Sequence, residues 1–369
     1  MSNLLPSSWL RCQKLFALLG ALLLSGSPAV AQIAPLAPAT VQHIKPDSGP
    51  WDSGAGFQFD LGKKKSQKVR QSVSGLACNL NAAKQRVCLV VFDEGTQARY
   101  ATVHNASLVP DQQVLSFTGI TGELDGEAAA TDGRYVYVVG SHSVKRSDCA
   151  SNPASRHLIR FELDPATGQV LPHSSIDSGQ LWVLMQAQPE LADHVGKCLG
   201  SETSAKAPRL AGAQGTNIEG LAVKDGRLFV GFRGPVVNGE ALVMALNADA
   251  FFKDGPVQPS VTRLALGERR GIRDMVAVSD GLLLLAGPDD DSTATGWAVY
   301  GWNGKPDKAL VRPKLLAVLD LSQVKLRPCD AALKPEAITV LKETPSAYQL
   351  LVLSDGMCDG GPLVFTVPR

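Results

Sequence analysis

The chain has 369 residues, with 36 Lys and Arg against 35 Asp and Glu and a formal net charge of +1. So even a balance gives no long-range attraction to nucleic acid or to an acidic membrane surface, and neither is expected as a partner. The length suits one large domain or two small ones.

The N-terminus carries the three parts of a secretory signal. Arg11 and Lys14 are basic, Leu15 to Leu24 is a short apolar run, and Ala29-Val30-Ala31 is a small-residue cleavage site before Gln32. An uncleaved anchor is the competing reading, but the run is short for a bilayer span and no later segment is long and apolar enough to cross one. The expected division is a signal peptide over 1–31, a flexible Ala- and Pro-rich lead-in over 32–50, and a single domain over 51–369, in a monomeric protein that is periplasmic or secreted. Cys12 leaves with the signal. Cys78, Cys88, Cys149, Cys198, Cys329 and Cys358 remain, an even set that in an exported chain suggests disulfides. No Cys-x-x-Cys pair is present, which argues against zinc.

A phrase then recurs along the chain. A small or acidic residue and two or three small or apolar ones lead through a short turn into an apolar strand. The copies begin at Ser74, Glu127, Glu219, Asp274 and Glu336. Asp132-Gly133, Asp225-Gly226 and Asp280-Gly281 supply the positive φ that tight hairpins need. Weaker strands follow, such as His157 to Leu163 and Trp297 to Trp302, making about four strands per unit. Repeated four-stranded units predict a β-propeller, all-β, of about five blades, with six the alternative and a two-sheet sandwich the competitor. The longest interval, between the second and third copies, holds an insertion over 180–200 with helical character at Leu181 to Gln188 and Pro189 to Val195. The fifth unit has only three strands, and a strand near Gly56 to Leu61 is expected to complete it.

In a propeller the first strand of each unit leaves one face and the second returns to it. The phrase starts and the returning ends therefore meet at one mouth of the channel. Those ends are Asp93-Glu94, Ser141-His142, Arg233, Asp289-Asp290 and Asp355. The cysteines agree with this topology if they pair as Cys78–Cys88, Cys149–Cys198 and Cys329–Cys358. Glu127, Glu219, Asp274 and Glu336 could together hold a cation such as Ca²⁺, which favours carboxylate oxygens. Arg233 could hold an anionic group, Glu219 stands beside it, and His142 could act as a general base. Against these roles, acids at repeat starts also cap turns. No nucleophile elbow, phosphate loop or dinucleotide fingerprint is present.

Asn217-Ile218-Glu219-Gly220-Leu221-Ala222 with Phe232-Arg233-Gly234-Pro235 resembles a bacterial family known only as a domain of unknown function. Asp125-Gly126-Glu127 through Gly140-Ser141-His142-Ser143 resembles it too, as does Ala286-Gly287-Pro288, over roughly residues 70–365. The Glu-Gly-Leu-Ala phrase is also similar to that of secreted esterase-like phytase propellers. The resemblance implies a fold and no reaction, and Ser74 departs from the acidic pattern. Two functions stay open: a hydrolase of phosphate or other esters acting at the channel mouth, and a non-catalytic periplasmic propeller that binds a ligand or protein. Clustered acids with raised pKa values would favour the first. A shallow apolar mouth would favour the second.

Overall fold

The computed structural model describes residues 41–199, 214–290 and 293–369. They form a five-bladed β-propeller of antiparallel sheets. A short strand, β1 (His43–Ile44), comes first and α1 (Lys63–Arg70) precedes the ring. Blade 1 is β2 (Val73–Leu80), β3 (Arg86–Phe92), β4 (Gln97–His104) and β5 (Ser107–Ser116). Blade 2 is β6 (Gly126–Thr131), β7 (Tyr135–Gly140), β8 (Leu158–Glu162) and β9 (Ile176–Ser178), followed by α2 (Gln180–Gln186). Blade 3 is β10 (Asn217–Lys224), β11 (Arg227–Gly234), β12 (Glu240–Asn247) and, after α3 (Ala248–Phe252), β13 (Ser260–Ala265). Blade 4 is β14 (Arg270–Val278), β15 (Gly281–Pro288), β16 (Ala298–Trp302) and β17 (Lys314–Leu319). Blade 5 is β18 (Lys334–Glu343), β19 (Ala347–Asp355) and β20 (Leu363–Pro368).

All five copies of the repeated phrase lie on the innermost strands β2, β6, β10, β14 and β18. Each of these strands contacts the innermost strands of both neighbouring blades. The turns follow their residues: Asp225 and Gly226 both take positive φ, 50° and 73°, as a type I′ hairpin requires. Strand alternation puts apolar side chains on both faces of every sheet, so the core is divided into apolar layers between successive blades. Gly75 shows how close the inner strands come. A Cβ there would lie 2.8 Å from the backbone of Ala128 in the next blade.

Three expectations change. Gly56 to Leu61 is not a strand. Phe57 and Phe59 instead wedge edge-on against Phe92, each at 5.3 Å, in the layer between blades 5 and 1. Residues 47–51 run along the free edge of β20, where Asp47 N–H donates to Val364 O at 2.7 Å and Trp51 N–H to Pro362 O at 2.8 Å. Earlier in that same stretch, β1 pairs parallel with β17 of blade 4. In the insertion only α2 is helical, and Pro189 to Val195 forms turns.

Cys78–Cys88 and Cys149–Cys198 are disulfides. The third expected bridge is not formed. Cys329 and Cys358 are thiols, and the Cys358 thiol donates instead to the Cys329 carbonyl at 3.0 Å. Among the described residues no helix is long and apolar enough to cross a membrane.

Candidate functional site

The innermost hairpins share an irregularity that builds the site. Each carries a one-residue bulge near its start, which falls at Ser74, Glu127, Glu219, Arg273 and Glu336. A bulge re-aims its side chain out of the alternation. These five residues are therefore the structurally equivalent set, one per blade. Four were legible as phrase starts. In blade 4 the equivalent residue is Arg273, and the expected Asp274 is one position off. A one-residue shift turns a side chain to the other face of a strand. The Asp274 carboxylate accordingly points into the blade, where it accepts backbone N–H bonds from Met275 and Ile338, both at 2.7 Å. Burial raises its pKa well above the ordinary value, partly opposed by those donors. Asp274 does not reach the cleft.

A second tier comes from the returning strands. Val91, Val139, Gly231, Leu285 and Leu353 pair with Gly75, Ala128, Gly220, Asp274 and Ala337. Two residues further on stand Asp93, Ser141, Arg233, Gly287 and Asp355. Gly287 has a steric reason: a Cβ there would meet the Trp297 ring at 2.6 Å and Arg273 Cγ at 2.9 Å. The missing side chain makes room for the arginine.

Together the tiers line a cleft of about 460 Å³ at one mouth of the channel, including Asp93, Glu127, Arg146, Glu219, Arg233, Arg273, Lys334, Glu336 and Asp355. The opposite end of the channel is lined mainly by small and apolar residues such as Ala77, Ala130, Ala222 and Val276. Of the expected site residues, Glu127, Glu219, Glu336 and Arg233 meet in the polar cleft. His142 does not. It is fully buried beyond the end of β7 at φ 49°, with Nδ1 at 2.9 Å from Gly140 O and Nε2 without a partner. Burial lowers its pKa to about 4. It is a buried neutral imidazole, not a base facing the cleft.

One wall of the cleft is ion-paired throughout. Glu219 accepts from Arg233 at 2.9 Å and from the Asn217 amide at 2.9 Å, and its other oxygen lies 2.9 Å from Arg273 Nε. Arg273 also pairs with Glu336, which accepts from Ser74 at 3.3 Å, and Lys334 pairs with Asp355 at 3.0 Å. Arg273 is buried, and burial with the neighbouring Arg233 charge lowers its pKa to about 10, so it stays a cation at neutral pH.

The other wall is carboxylic. Glu127 has no hydrogen-bond or ion-pair partner among the described residues. Burial, then the charges of Glu219, Asp125 and Asp93, raise its pKa well above the ordinary range. Asp93 is raised to about 8, first by burial and next by Asp355, and its Oδ1 is sealed from solvent with no hydrogen-bond partner. Asp125, which accepts from Ser141, is raised by burial too.

The expected Ca²⁺ ring of Glu127, Glu219, Asp274 and Glu336 is not assembled. Asp274 faces away, and the Arg273 guanidinium stands between Glu219 and Glu336. Among the described residues, the only group of at least three His, Cys, Asp or Glu whose ligand atoms all lie within 4.8 Å of one another is Cys329, Asp330 and Cys358. It offers little to a metal, since both Asp330 oxygens already accept from Arg327 at 2.9 Å.

Residues 193–359 match a family described as "Protein of unknown function (DUF3616)". The match covers less than half of the chain, and this region is similar to that family. It takes in blades 3 and 4 and the first two strands of blade 5, a shorter span than the phrases at 70–365 suggest. The matched residues include the whole ion-paired wall except Ser74, while Asp93, Asp125 and Glu127 lie outside the match. No curated protein matches the chain. Solved structures resemble it in architecture. An aldose sugar dehydrogenase from Streptomyces coelicolor, in its PQQ-bound form, has 12% identity and a TM-score of 0.38, covering 81% of this chain and 94% of its own. A GH43 β-1,3-galactosidase with galactodeoxynojirimycin has 10% identity and a TM-score of 0.43, covering 80% and 90%. A GH43 endo-arabinanase from Bacillus licheniformis has 10% identity and a TM-score of 0.36, covering 85% and 96%. At such identities the likeness concerns architecture alone.

Proposed function

We propose that the protein is a hydrolase of phosphate or other esters, working at the polar mouth of the channel. The observation that carries this reading is that Asp93 and Asp355 line the same cleft, where the Asp355 charge helps to raise the Asp93 pKa. Two neighbouring carboxyls in one cleft cannot both ionise freely, and the one with the higher pKa keeps its proton. Asp93 is raised to about 8 and has an unpartnered oxygen, while Asp355 is ion-paired with Lys334. In the proposed step, water adds to the phosphorus or carbonyl carbon and passes its proton to Asp355. The bond to the leaving oxygen breaks as that oxygen takes the proton of Asp93. Solvent exchange then resets both acids. Arg233 is placed to orient a negatively charged oxygen of the ester.

The test is a panel of chromogenic phosphate and carboxylate esters with the full protein and Asp93→Asn. Removing a positioned proton donor should lower turnover by about 10²-fold or more. Activity of the unaltered protein should fall as pH rises through about 8, where Asp93 loses its proton. If no ester is turned over, the hydrolase reading fails. A second reading, a non-catalytic ligand-binding propeller, is favoured by one feature: Glu219 and Glu336 are already held by ion pairs with Arg233 and Arg273. Ligand capture without turnover would support it.

We also infer export to the periplasm or beyond, on the signal-like N-terminus and the two disulfides. N-terminal sequencing of the mature protein should begin near Gln32, and finding Met1 would contradict it.

A further inference from the structure

A wider groove of about 1650 Å³ runs over blades 1 and 2 beside the cleft. Asp93 and Glu127 line both spaces, so a ligand that extends from one to the other passes them. Arg146 also lines both, but it has an interaction of its own.

Glu127 differs from the four residues equivalent to it in the other blades. Ser74, Glu219, Arg273 and Glu336 are joined to one another or to Arg233. Glu127 alone of the five has no hydrogen-bond or ion-pair partner among the described residues, although nine-tenths of it is buried. Its place in the ring explains this. The strand that carries it, β6, packs between β2 and β10. On the β2 side stands Ser74, bonded to Glu336, and on the β10 side stands Glu219, held by Arg233 and Arg273. The bulge between Gly126 and Ala128 still turns the Glu127 side chain to the mouth, where it lines the cleft. A buried polar group without a partner is costly, and a group brought by a ligand can supply the missing bond.

The surroundings select which group that is. Ser143 and Asn217, both buried, line the groove with Glu127, and so do Asp93 and Asp125. Burial biases the three acids toward their neutral forms. An ammonium group would therefore find little negative charge, and the charges of Arg146 and Arg273 already act on Glu127. An anionic group would be repelled by whatever charge the acids keep. An alcohol hydroxyl fits, since a protonated carboxyl and a hydroxyl each offer one donor and an acceptor to the other. The proposed reaction fixes which part of the ester lies there. Asp93 protonates the leaving oxygen and stands where cleft and groove meet, so the leaving alcohol extends past Glu127 into the groove.

We propose that Glu127 is a specificity-determining residue whose carboxyl binds a hydroxyl on the leaving alcohol, so that esters of diols and polyols are preferred. The proposal rests on the hydrolase reading for the direction of the substrate, but not for the hydroxyl-binding chemistry of Glu127.

The experiment compares the full-length protein with Glu127→Ala and Glu127→Gln. The substrates are glycerol 1-phosphate, propyl phosphate, which is the same chain without hydroxyls, and 2-aminoethyl phosphate. Turnover is followed by phosphate release, and the same esters are probes in thermal melts. The unaltered protein should favour glycerol 1-phosphate over propyl phosphate roughly 10-fold in kcat/KM. Glu127→Ala should bring that ratio close to one, and Glu127→Gln, whose amide also has a donor and an acceptor, should recover most of it. A merely structural role would lower both rates together and leave the ratio unchanged. No preference in the unaltered protein, or a preference kept in Glu127→Ala, would overturn the proposal. So would a preference for 2-aminoethyl phosphate that is lost in Glu127→Gln, since the carboxyl would then act as an anion. If no ester is hydrolysed, the hydrolase reading falls and the melts decide the site. A larger Tm rise with glycerol 1-phosphate than with propyl phosphate, abolished in Glu127→Ala, would support it, and equal shifts or none would overturn it.

Discussion

The two walls of the cleft face the same problem and meet it differently. Blades 3 to 5 bring Glu219 and Glu336 together and place the buried Arg273 guanidinium between them. Blades 1 and 2 bring Asp93, Asp125 and Glu127 together, and burial holds each toward its protonated form, with the Arg146 charge opposing this only in part at Asp125 and Glu127. Like charges this close need an offset, which can be a metal, a guanidinium or a proton. One wall uses the guanidinium and the other the proton. The first solution holds through neutral pH, since Arg273 loses its charge only near 10. The second changes with pH and leaves protons available for transfer, which is why the reactive role is assigned to Asp93 and not to Glu219. The division follows the extent of the family match, since the ion-paired wall apart from Ser74 lies within residues 193–359 and the proton-bearing wall does not.

The strongest way to break this comparison is to remove the shared guanidinium. Arg273→Met leaves Glu219 and Glu336 buried, with Arg233 still paired to Glu219. Breaking a buried ion pair from one side costs about 3–5 kcal/mol, to be measured by urea unfolding at pH 7.5. The loss should shrink at pH 5. Without the cation, the folded-state pKa values of the two acids rise above their unfolded values, so the variant is most stable where both are protonated. A cost that does not change with pH would mean that the carboxylates are not what Arg273 holds.

Next comes a matched pair of substitutions. Glu219→Gln takes the carboxylate from between two arginines and should destabilise by about 2 kcal/mol or more at pH 7.5, because it leaves buried charge uncompensated. Glu127→Gln replaces a carboxyl that already favours its neutral form and should be neutral or slightly stabilising at the same pH. Equal destabilisation by the two would erase the distinction between the walls.

How much of this was legible in the sequence depends on periodicity. The repeated phrase and the Asp-Gly turns placed the blades, because a hairpin turn writes its φ requirement into residue type. The mouth residues Glu127, Glu219, Glu336 and Arg233 were legible for the same reason. Arg273 was not. The bulge in blade 4 falls one residue before Asp274, and an acid beside an arginine at that point draws the eye to the wrong one. Aligning Ile272-Arg273-Asp274 on Ile218-Glu219-Gly220 would have found it, since the isoleucine occupies the same place in both. His142 looked functional because histidine often is, but its orientation is set by the chain leaving β7 in a left-handed conformation, which residue type alone does not fix. The pairing of Cys329 with Cys358 was inferred from topology, which does bring them close, but topology does not say which way a thiol turns.

A smaller effect sharpens the account of the carboxylic wall. The pKa of Asp93 is about 8 in the folded protein and near 4 in an unfolded chain. Between those values the folded state holds a proton that the unfolded state has released. The stability this confers is complete below about pH 4 and is lost as pH rises through about 8. Asp93→Asn should therefore flatten the fall in unfolding free energy between pH 5 and 9. It should be more stable than the parent at pH 9 by about 1–2 kcal/mol, less than the one-proton limit because the side chain is partly solvated. The same variant should lose turnover, so stability and activity would move in opposite directions at one residue. A pH profile unchanged by the substitution would show that Asp93 is ionised throughout, and would remove the proton on which the proposed reaction depends.

The last prediction concerns a buried group of the opposite kind. His142 lies just behind the carboxylic wall and is kept neutral by burial, with a folded pKa of about 4 against about 6.5 when exposed. Here the unfolded chain binds the extra proton. The stability is complete above about pH 6.5 and is lost as pH falls toward 4, with a limiting slope of about 1.4 kcal/mol per pH unit. Asp93 and His142 thus tilt the pH dependence in opposite senses over part of the acid range, and the parent profile there should be shallower than either group alone would give. His142→Asn keeps a residue that tolerates the left-handed conformation at φ 49° while removing the titration. The substitution should cost about 1 kcal/mol at pH 7 through lost packing, with a narrower gap from the parent at pH 5. Urea midpoints at half-unit steps from pH 4.5 to 7 resolve the two slopes. If the gap stays constant across that range, His142 does not change protonation on unfolding. Its imidazole would then take up a proton over the same pH range in the folded and unfolded states.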